Sequence, residues 1–223
     1  MLANEYLSNF LKIDQPMEKQ PIRYSSVALL LRGARKLSGR NIENGSYEMN
    51  ELNEQNFIEQ TFFSFQFAGL INYLIFLEQI GSIFKPINQE APTGKGRGNG
   101  IYRTLSYYTN LNDKKKKSVV ALRNSLTHKF GLATESKPNS GFPARFSLSI
   151  SRNDEIIEIP KEGSCWKGDF SNKSDDCLTI VYIIDLLDQI ENIYQNIYDN
   201  LNDDNIEMLI ELDELKARYT IIA

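Results

Sequence analysis

The chain has 223 residues, of which 41% are hydrophobic and 24% are charged, and its formal net charge is −4. This composition is typical of a globular protein and excludes collagen-like, wholly disordered and purely coiled-coil classes. Two cysteines, Cys165 and Cys177, are too few for a secreted disulfide framework. The first residues lack the basic and apolar regions of a signal peptide, so we expect a cytoplasmic protein.

The sequence contains one histidine, His128. One histidine is too few for a zinc site of the His-Glu-x-x-His type or for an acid-base pair of histidines within one chain. One histidine and two cysteines are also too few for a Cys/His zinc finger. Any imidazole chemistry must therefore use His128. We expect neither a metal nor another cofactor.

The N-terminal part of the chain predicts three helices. The first two, over 2–12 and 22–37, are separated by two prolines, which disfavour helix in the residues before them. The third, over 50–84, is apolar nearly all round in its second half, as is typical of the innermost helix of a bundle. Its charge-free run 61–77 is shorter than the roughly 20 residues of a membrane span and lacks basic flanks, so we expect no membrane partner.

Residues 85–100 form a predicted loop, because two prolines and four glycines stand among few apolar residues. The Gly-Lys-Gly-Arg-Gly segment at 94–98 resembles a phosphate-binding glycine loop. It lacks the Gly-Lys-Ser/Thr ending of a Walker loop and the preceding strand of a dinucleotide loop, which favours a linker. Helices are predicted again over 101–111 and 115–132.

Residues 144–160 predict a β-hairpin, because apolar residues alternate with serines, a turn-like Arg-Asn-Asp follows, and the alternation then resumes. A loop anchored by packing of Trp166 is expected over 163–174. From 175 onwards, apolar residues recur at steps of three and four, which predicts acidic helices through 219. The predicted fold is mainly α: one helical-bundle domain over 1–223 with an inserted hairpin.

Charge is distributed unevenly along the chain. Residues 93–130 contain nine basic residues and one acid, for a net charge of +8, whereas residues 175–218 carry −10. Four of the basic residues are consecutive: Lys114, Lys115, Lys116 and Lys117. Lysines at the start of a helix oppose its dipole, and a phosphate-rich partner would offset that cost. The alternative is a solvated helix face.

The hexapeptide Arg-Asn-Ser-Leu-Thr-His at 123–128 lies late in the predicted helix 115–132. It resembles the Arg-x(4 to 6)-His signature of the HEPN superfamily, whose members commonly have Asn directly after the Arg. The resemblance implies a helical bundle, often dimeric, that cleaves RNA without a metal in toxin-antitoxin, abortive-infection or other anti-phage systems. It also implies an antitoxin or regulatory protein as partner, and a composite site where the motifs of two subunits face each other.

The residue types of this motif suit RNA cleavage on chemical grounds. An imidazole can transfer a proton between the 2′-hydroxyl and the leaving oxygen near neutral pH. A guanidinium supplies fixed positive charge that stabilises the transition state. We expect Arg123 to hold the scissile phosphate, His128 to act as general acid or base, and Asn124 to orient one of them. The Lys114–Lys117 run would follow the RNA backbone.

Helix geometry limits how this motif can work. Five residues on a regular α-helix rotate by about 140° and rise by about 7.5 Å, so Arg123 and His128 do not share a face. We therefore expect either a distorted helix end near Gly131 or a homodimer in which each residue works with its counterpart, bringing two imidazoles together. The polar Ser125 and Thr127 favour a site over a structural helix. A non-catalytic helical dimer that binds nucleotide, RNA or a protein as a regulator is the alternative.

Overall fold

The computed structural model describes residues 3–47, 67–94, 96–129, 131–134, 143–172, 174–201 and 205–222, with the backbone alone for 3–5 and 129. This part of the chain contains seven α-helices and nine short strands, which confirms the mainly α class. The helices are α1 (Ala3–Phe10), α2 (Ser26–Leu37), α3 (Phe67–Ile83), α4 (Gly100–Tyr108), α5 (Asp113–Lys129), α6 (Ile183–Leu201) and α7 (Leu212–Tyr219). The strands are β1 (Glu18–Lys19), β2 (Ile22–Ser25), β3 (Phe84–Pro86), β4 (Ala133–Thr134), β5 (Ala144–Ser149), β6 (Ile157–Glu158), β7 (Leu178–Tyr182), β8 (Ile206–Met208) and β9 (Thr220–Ile222).

The chain divides into two compact units. One comprises Met1–Gln89 together with Ile193–Ala223, and the other comprises Glu90–Asn192. The single domain over 1–223 stays a prediction.

The first unit has its core between α2 and α3. The predicted helix over 50–84 is described from Phe67, and there it is buried on most sides, as expected. Gly69 of α3 lies so close to the end of α2 that a Cβ added there would stand 3.0 Å from the Ser38 nitrogen, so the glycine permits this packing. No helix in the described ranges is long and apolar enough to cross a bilayer.

Two small sheets belong to the first unit, and each contains residues that were predicted to be helical. Residues 22–25 form β2, which lies between β1 and β9, instead of the first turn of the helix predicted over 22–37. Residues 206–208, which lie in the region 175–219 predicted as acidic helices, form β8, which pairs with β3. Strands of three or four residues are too short to show an alternating pattern, so these pairings arise from tertiary contacts that sequence periodicity does not report.

The second unit contains a four-stranded sheet in the order β4-β5-β7-β6. The hairpin predicted over 144–160 is wrong in its pairing: both strands exist, but β7 lies between them, parallel to β5 and antiparallel to β6. The helix predicted from 175 begins only at Ile183. The β-branched residues Thr179 to Val181 explain this, because they favour a strand and bury Thr179 and Val181 on one face.

The remaining helices of the second unit lie close to their predicted positions. The helices predicted over 101–111 and 115–132 are α4 and α5. The loop predicted over 85–100 is confirmed for 87–94 and 96–99, which contain neither helix nor strand. Trp166 is 3% exposed, its Nε1 donates to the Thr134 carbonyl at 3.1 Å, and its ring packs edge-on against Phe170, so it anchors its loop as expected.

Candidate active site

The end of α5 brings the three residues of the predicted site together. Nη1 of Arg123 donates to Oδ1 of Asn124 at 3.1 Å and lies 3.4 Å from Nε2 of His128. His128 is exposed, and Arg123 and Asn124 are half-buried. Arg123 and His128 of one chain thus meet, although their positions are about 140° apart on a regular helix. The arginine side chain is long enough to reach along the helix end and close the angle between the two positions.

These contacts define what each group can do. The Asn124 amide oxygen accepts from the guanidinium, a contact that can orient it. When Nε2 of His128 is unprotonated, it can accept from Nη1 of Arg123. A phosphate oxygen that replaced this contact would meet a guanidinium and an imidazole together.

Ser125 holds the end of the helix in place. It is 1% exposed, and its Oγ donates to the carbonyls of Gly131 at 2.7 Å and Ala133 at 3.1 Å. Thr127 donates to the Arg123 carbonyl at 2.8 Å, inside the helix. Both hydroxyls therefore have structural partners, and their polarity no longer favours a catalytic site over a structural helix.

Each of the four lysines at the start of α5 contacts another group of the chain. Nζ of Lys114 lies 3.2 Å from Sγ of Cys165, and Nζ of Lys116 lies 5.7 Å from the centre of the Tyr102 ring. The other two form ion pairs: Lys115 with Glu155 at 2.6 Å, and Lys117 with Asp113 at 2.7 Å. Two of the four lysines are thus paired with carboxylates of the chain, which offsets part of the cost of placing positive charge at the start of a helix.

Asp113 is the centre of this arrangement. It accepts hydrogen bonds from the Tyr102 hydroxyl at 2.5 Å and from Arg97 at 3.1 Å, besides its pair with Lys117. The bonds from Lys117 and Tyr102 lower the pKa of Asp113 to about 2. In the sequence Asp113 is the single acid of the basic segment 93–130, and its role was not predicted. Its place in the first turn of a helix, directly after the capping Asn112, is the signal that could have identified it.

No group of three or more His, Cys, Asp or Glu side chains among the described residues is placed to hold a metal ion. Comparison with protein-family models finds no match, and comparisons with curated proteins and with solved structures find none either. The HEPN resemblance therefore rests on the motif at 123–128 and stays a prediction. The geometry itself is an exposed imidazole, a guanidinium and an amide in contact at the end of a helix.

Proposed function

We propose that this chain is a metal-independent endoribonuclease of the HEPN type, which cleaves RNA by attack of the 2′-hydroxyl on the adjacent phosphate and leaves a 2′,3′-cyclic phosphate. One observation carries the proposal: the guanidinium of Arg123 and the imidazole of His128 lie 3.4 Å apart at an exposed helix end. Two such groups can contact the same phosphate without any movement of the backbone.

The three side chains take distinct parts in the reaction. Arg123 binds the scissile phosphate and stabilises the charge that develops on its oxygens, since a guanidinium does not deprotonate. Asn124 fixes the guanidinium, and His128 transfers a proton. One imidazole cannot be the base for the 2′-hydroxyl and the acid for the leaving oxygen at once. The proposal therefore includes a homodimer that supplies a second His128.

The partners of the reaction follow from the same proposal. RNA is the substrate, and the Lys114–Lys117 run contributes positive charge along its backbone in addition to the internal contacts of these lysines. A role in a toxin-antitoxin or other anti-phage system, with an antitoxin or regulatory protein as partner, is proposed on the motif resemblance alone. The non-catalytic alternative uses the same surface to bind nucleotide, RNA or a protein.

Cleavage of total RNA in excess chelator, with analysis of the product ends, tests the proposal. We expect Arg123→Ala and His128→Ala each to lower the rate by roughly two to four powers of ten, because each removes a positioned transition-state group. His128→Gln, which keeps a polar side chain without an imidazole, should be equally inactive. Arg32→Ala is the matched control, because it removes an exposed arginine from α2 and should leave the rate unchanged.

Two results would decide against nuclease activity. Full activity of either alanine variant would show that the motif does not act on RNA. RNA binding without cleavage by the unmodified chain, weakened by the same substitutions, would instead support the non-catalytic regulator.

A further inference from the structure

Both cysteines of the chain line one cavity in the second compact unit. The cavity has a volume of about 290 Å³ and lies between the loop that contains Trp166 and the short 3₁₀ turn Asp175–Cys177. Its other lining side chains are polar or charged: Ser164, Lys167, Asp169, Asn172, Ser174 and Asp176. This volume suits a small ligand, and the one ammonium group of Lys167 together with the carboxylates of Asp169 and Asp176 suits a ligand that carries both a carboxylate and an amine.

The two thiols differ in their surroundings. Sγ of Cys165 is half-buried and lies 3.2 Å from the Nζ of Lys114, with the carbonyl oxygens of Pro160 and Lys161 farther away at 3.8 Å. An ammonium group at this distance stabilises a thiolate, which is the nucleophilic form of cysteine.

Cys177 has the surroundings of an unreactive thiol. It is 2% exposed and donates a hydrogen bond to the Ser174 carbonyl at 3.0 Å, and Arg145 Nη1 is 4.0 Å from its sulfur. A thiol buried to this extent is hidden from solvent and from a disulfide dissolved in it. Of the two sulfurs at the cavity, Cys165 is therefore the one equipped to react.

We propose that Cys165 is a modification site that takes up one half of a low-molecular-weight peptide disulfide with amine and carboxylate groups. The Cys165 thiolate attacks one sulfur of that disulfide, so that a new S–S bond forms while the original S–S bond breaks. The second half leaves as a thiolate and takes a proton from water. The Cys165 sulfur is oxidised, the departing sulfur is reduced, and the cavity holds the attached half. This proposal does not depend on ribonuclease activity.

Incubation of the full chain with glutathione disulfide tests the proposal, with intact mass and peptide mapping as readouts. We expect one glutathionyl group on Cys165 and none on Cys177 in the folded protein, whereas both cysteines should react in denaturant. Lys114→Met should slow the modification of Cys165 by about three- to tenfold, because it removes the group that stabilises the thiolate. Lys36→Met, an exposed lysine of α2, is the control and should leave the rate unchanged.

Peptide mapping locates the adduct in the protein with both cysteines present, so the test does not depend on the folding of a cysteine variant. An unfolded Lys114→Met protein would reveal itself by labelling of Cys177. Modification of Cys177 in preference to Cys165, equal rates at both in the folded protein, or no adduct at all would overturn the proposal. A Lys114→Met variant that folds and reacts at the original rate would overturn it as well.

Discussion

Asp113 supports the start of α5 through an ion pair and a phenol hydrogen bond, and this makes its contribution dependent on pH. Its pKa is lowered from 3.8 to about 2, first by the bond from Lys117 and then by that from Tyr102. Because the folded-state pKa lies below the unfolded one, the stabilisation is fully present above about pH 4 and is lost as the pH falls towards about 2. The side chain is 43% exposed, so solvent screening limits its contribution to at most about 1 kcal/mol.

We predict that Asp113→Asn lowers the free energy of unfolding at pH 7 and that the difference from the unmodified protein shrinks as the pH falls from about 4 to 2. Urea unfolding at several pH values measures this difference. Asp213→Asn is the control, because Asp213 also lies in the first turn of a helix but has no ion pair among the described contacts. A difference at Asp113 that stays constant down to pH 2 would show that the lost interaction is not ionic.

A substitution of Lys116 tests the RNA-binding role of the Lys114–Lys117 run without breaking an ion pair of the described residues. Within the described part of the chain its ammonium contacts the Tyr102 ring and no carboxylate, whereas Lys115 and Lys117 are held in ion pairs. We predict that Lys116→Gln weakens RNA binding and reduces the slope of log affinity against log salt by about 0.7, the contribution of one phosphate contact on a single strand. Lys36→Gln should leave the slope unchanged. An equal slope for Lys116→Gln would make the run a solvated helix face.

Among the elements, the end of α5 depends on Ser125. Its hydroxyl is the donor for the carbonyls of both Gly131 and Ala133, and it is almost completely buried. We predict that Ser125→Ala lowers the free energy of unfolding by about 1–3 kcal/mol, the range for leaving buried polar groups without a partner. Thr127→Ala is the matched control: among the described residues its hydroxyl bonds only to a carbonyl within the helix, an interaction that adds little stability. Equal effects of the two substitutions in urea unfolding would contradict this assignment.

The β7–α6 boundary shows where periodicity stops being informative. Ile180 and Ile183 fit a helical step of three, and Thr179 and Val181 fit an alternating strand equally well, so the pattern alone could not locate the start of the helix at Ile183. The described part of the helix predicted over 50–84, and the loop residues 87–94 and 96–99, agree with the prediction because their signals extend over many residues. Residues 84–86 at their junction form β3 instead. The parallel pairing of β5 with β7 joins residues more than 30 positions apart, which no local pattern records.

At the candidate site, the chemistry of the residues can be predicted from the sequence, whereas the contacts between their side chains come from the fold. The chemistry of an arginine, an asparagine and a histidine indicated three cooperating groups, and the structure places them in contact. Positions about 140° apart on a regular helix still allow this contact, because the Arg123 side chain extends along the helix end to His128. The internal partners of Lys114, Lys115 and Lys116 lie 14 to 51 residues away in the sequence, and only the fold reveals them. The partner of Lys117 is one helical turn away, at Asp113.

For the whole molecule, the contact between Arg123 and His128 changes what a mixed dimer should do. Because the two residues pair within one chain, a dimer of an Arg123→Ala subunit with a His128→Ala subunit contains no complete pair, and we predict that it is inactive. If each reaction also needs a second imidazole from the partner, a dimer of one unmodified subunit and one doubly substituted subunit is inactive too.

Co-expression of the unmodified chain with the double variant Arg123→Ala/His128→Ala, at known ratios, measures this requirement. We predict that ribonuclease activity falls with the square of the unmodified fraction, to about a quarter at equal amounts, because only dimers of two unmodified subunits carry two imidazoles. A double variant of Arg32 and Lys36 to alanine, co-expressed in the same way, should leave activity unchanged. A linear decrease would show that one chain supplies the whole site. Cleavage by a strictly monomeric protein would remove the need for a dimer, and His128 would then have to exchange its proton with water between the two halves of the reaction.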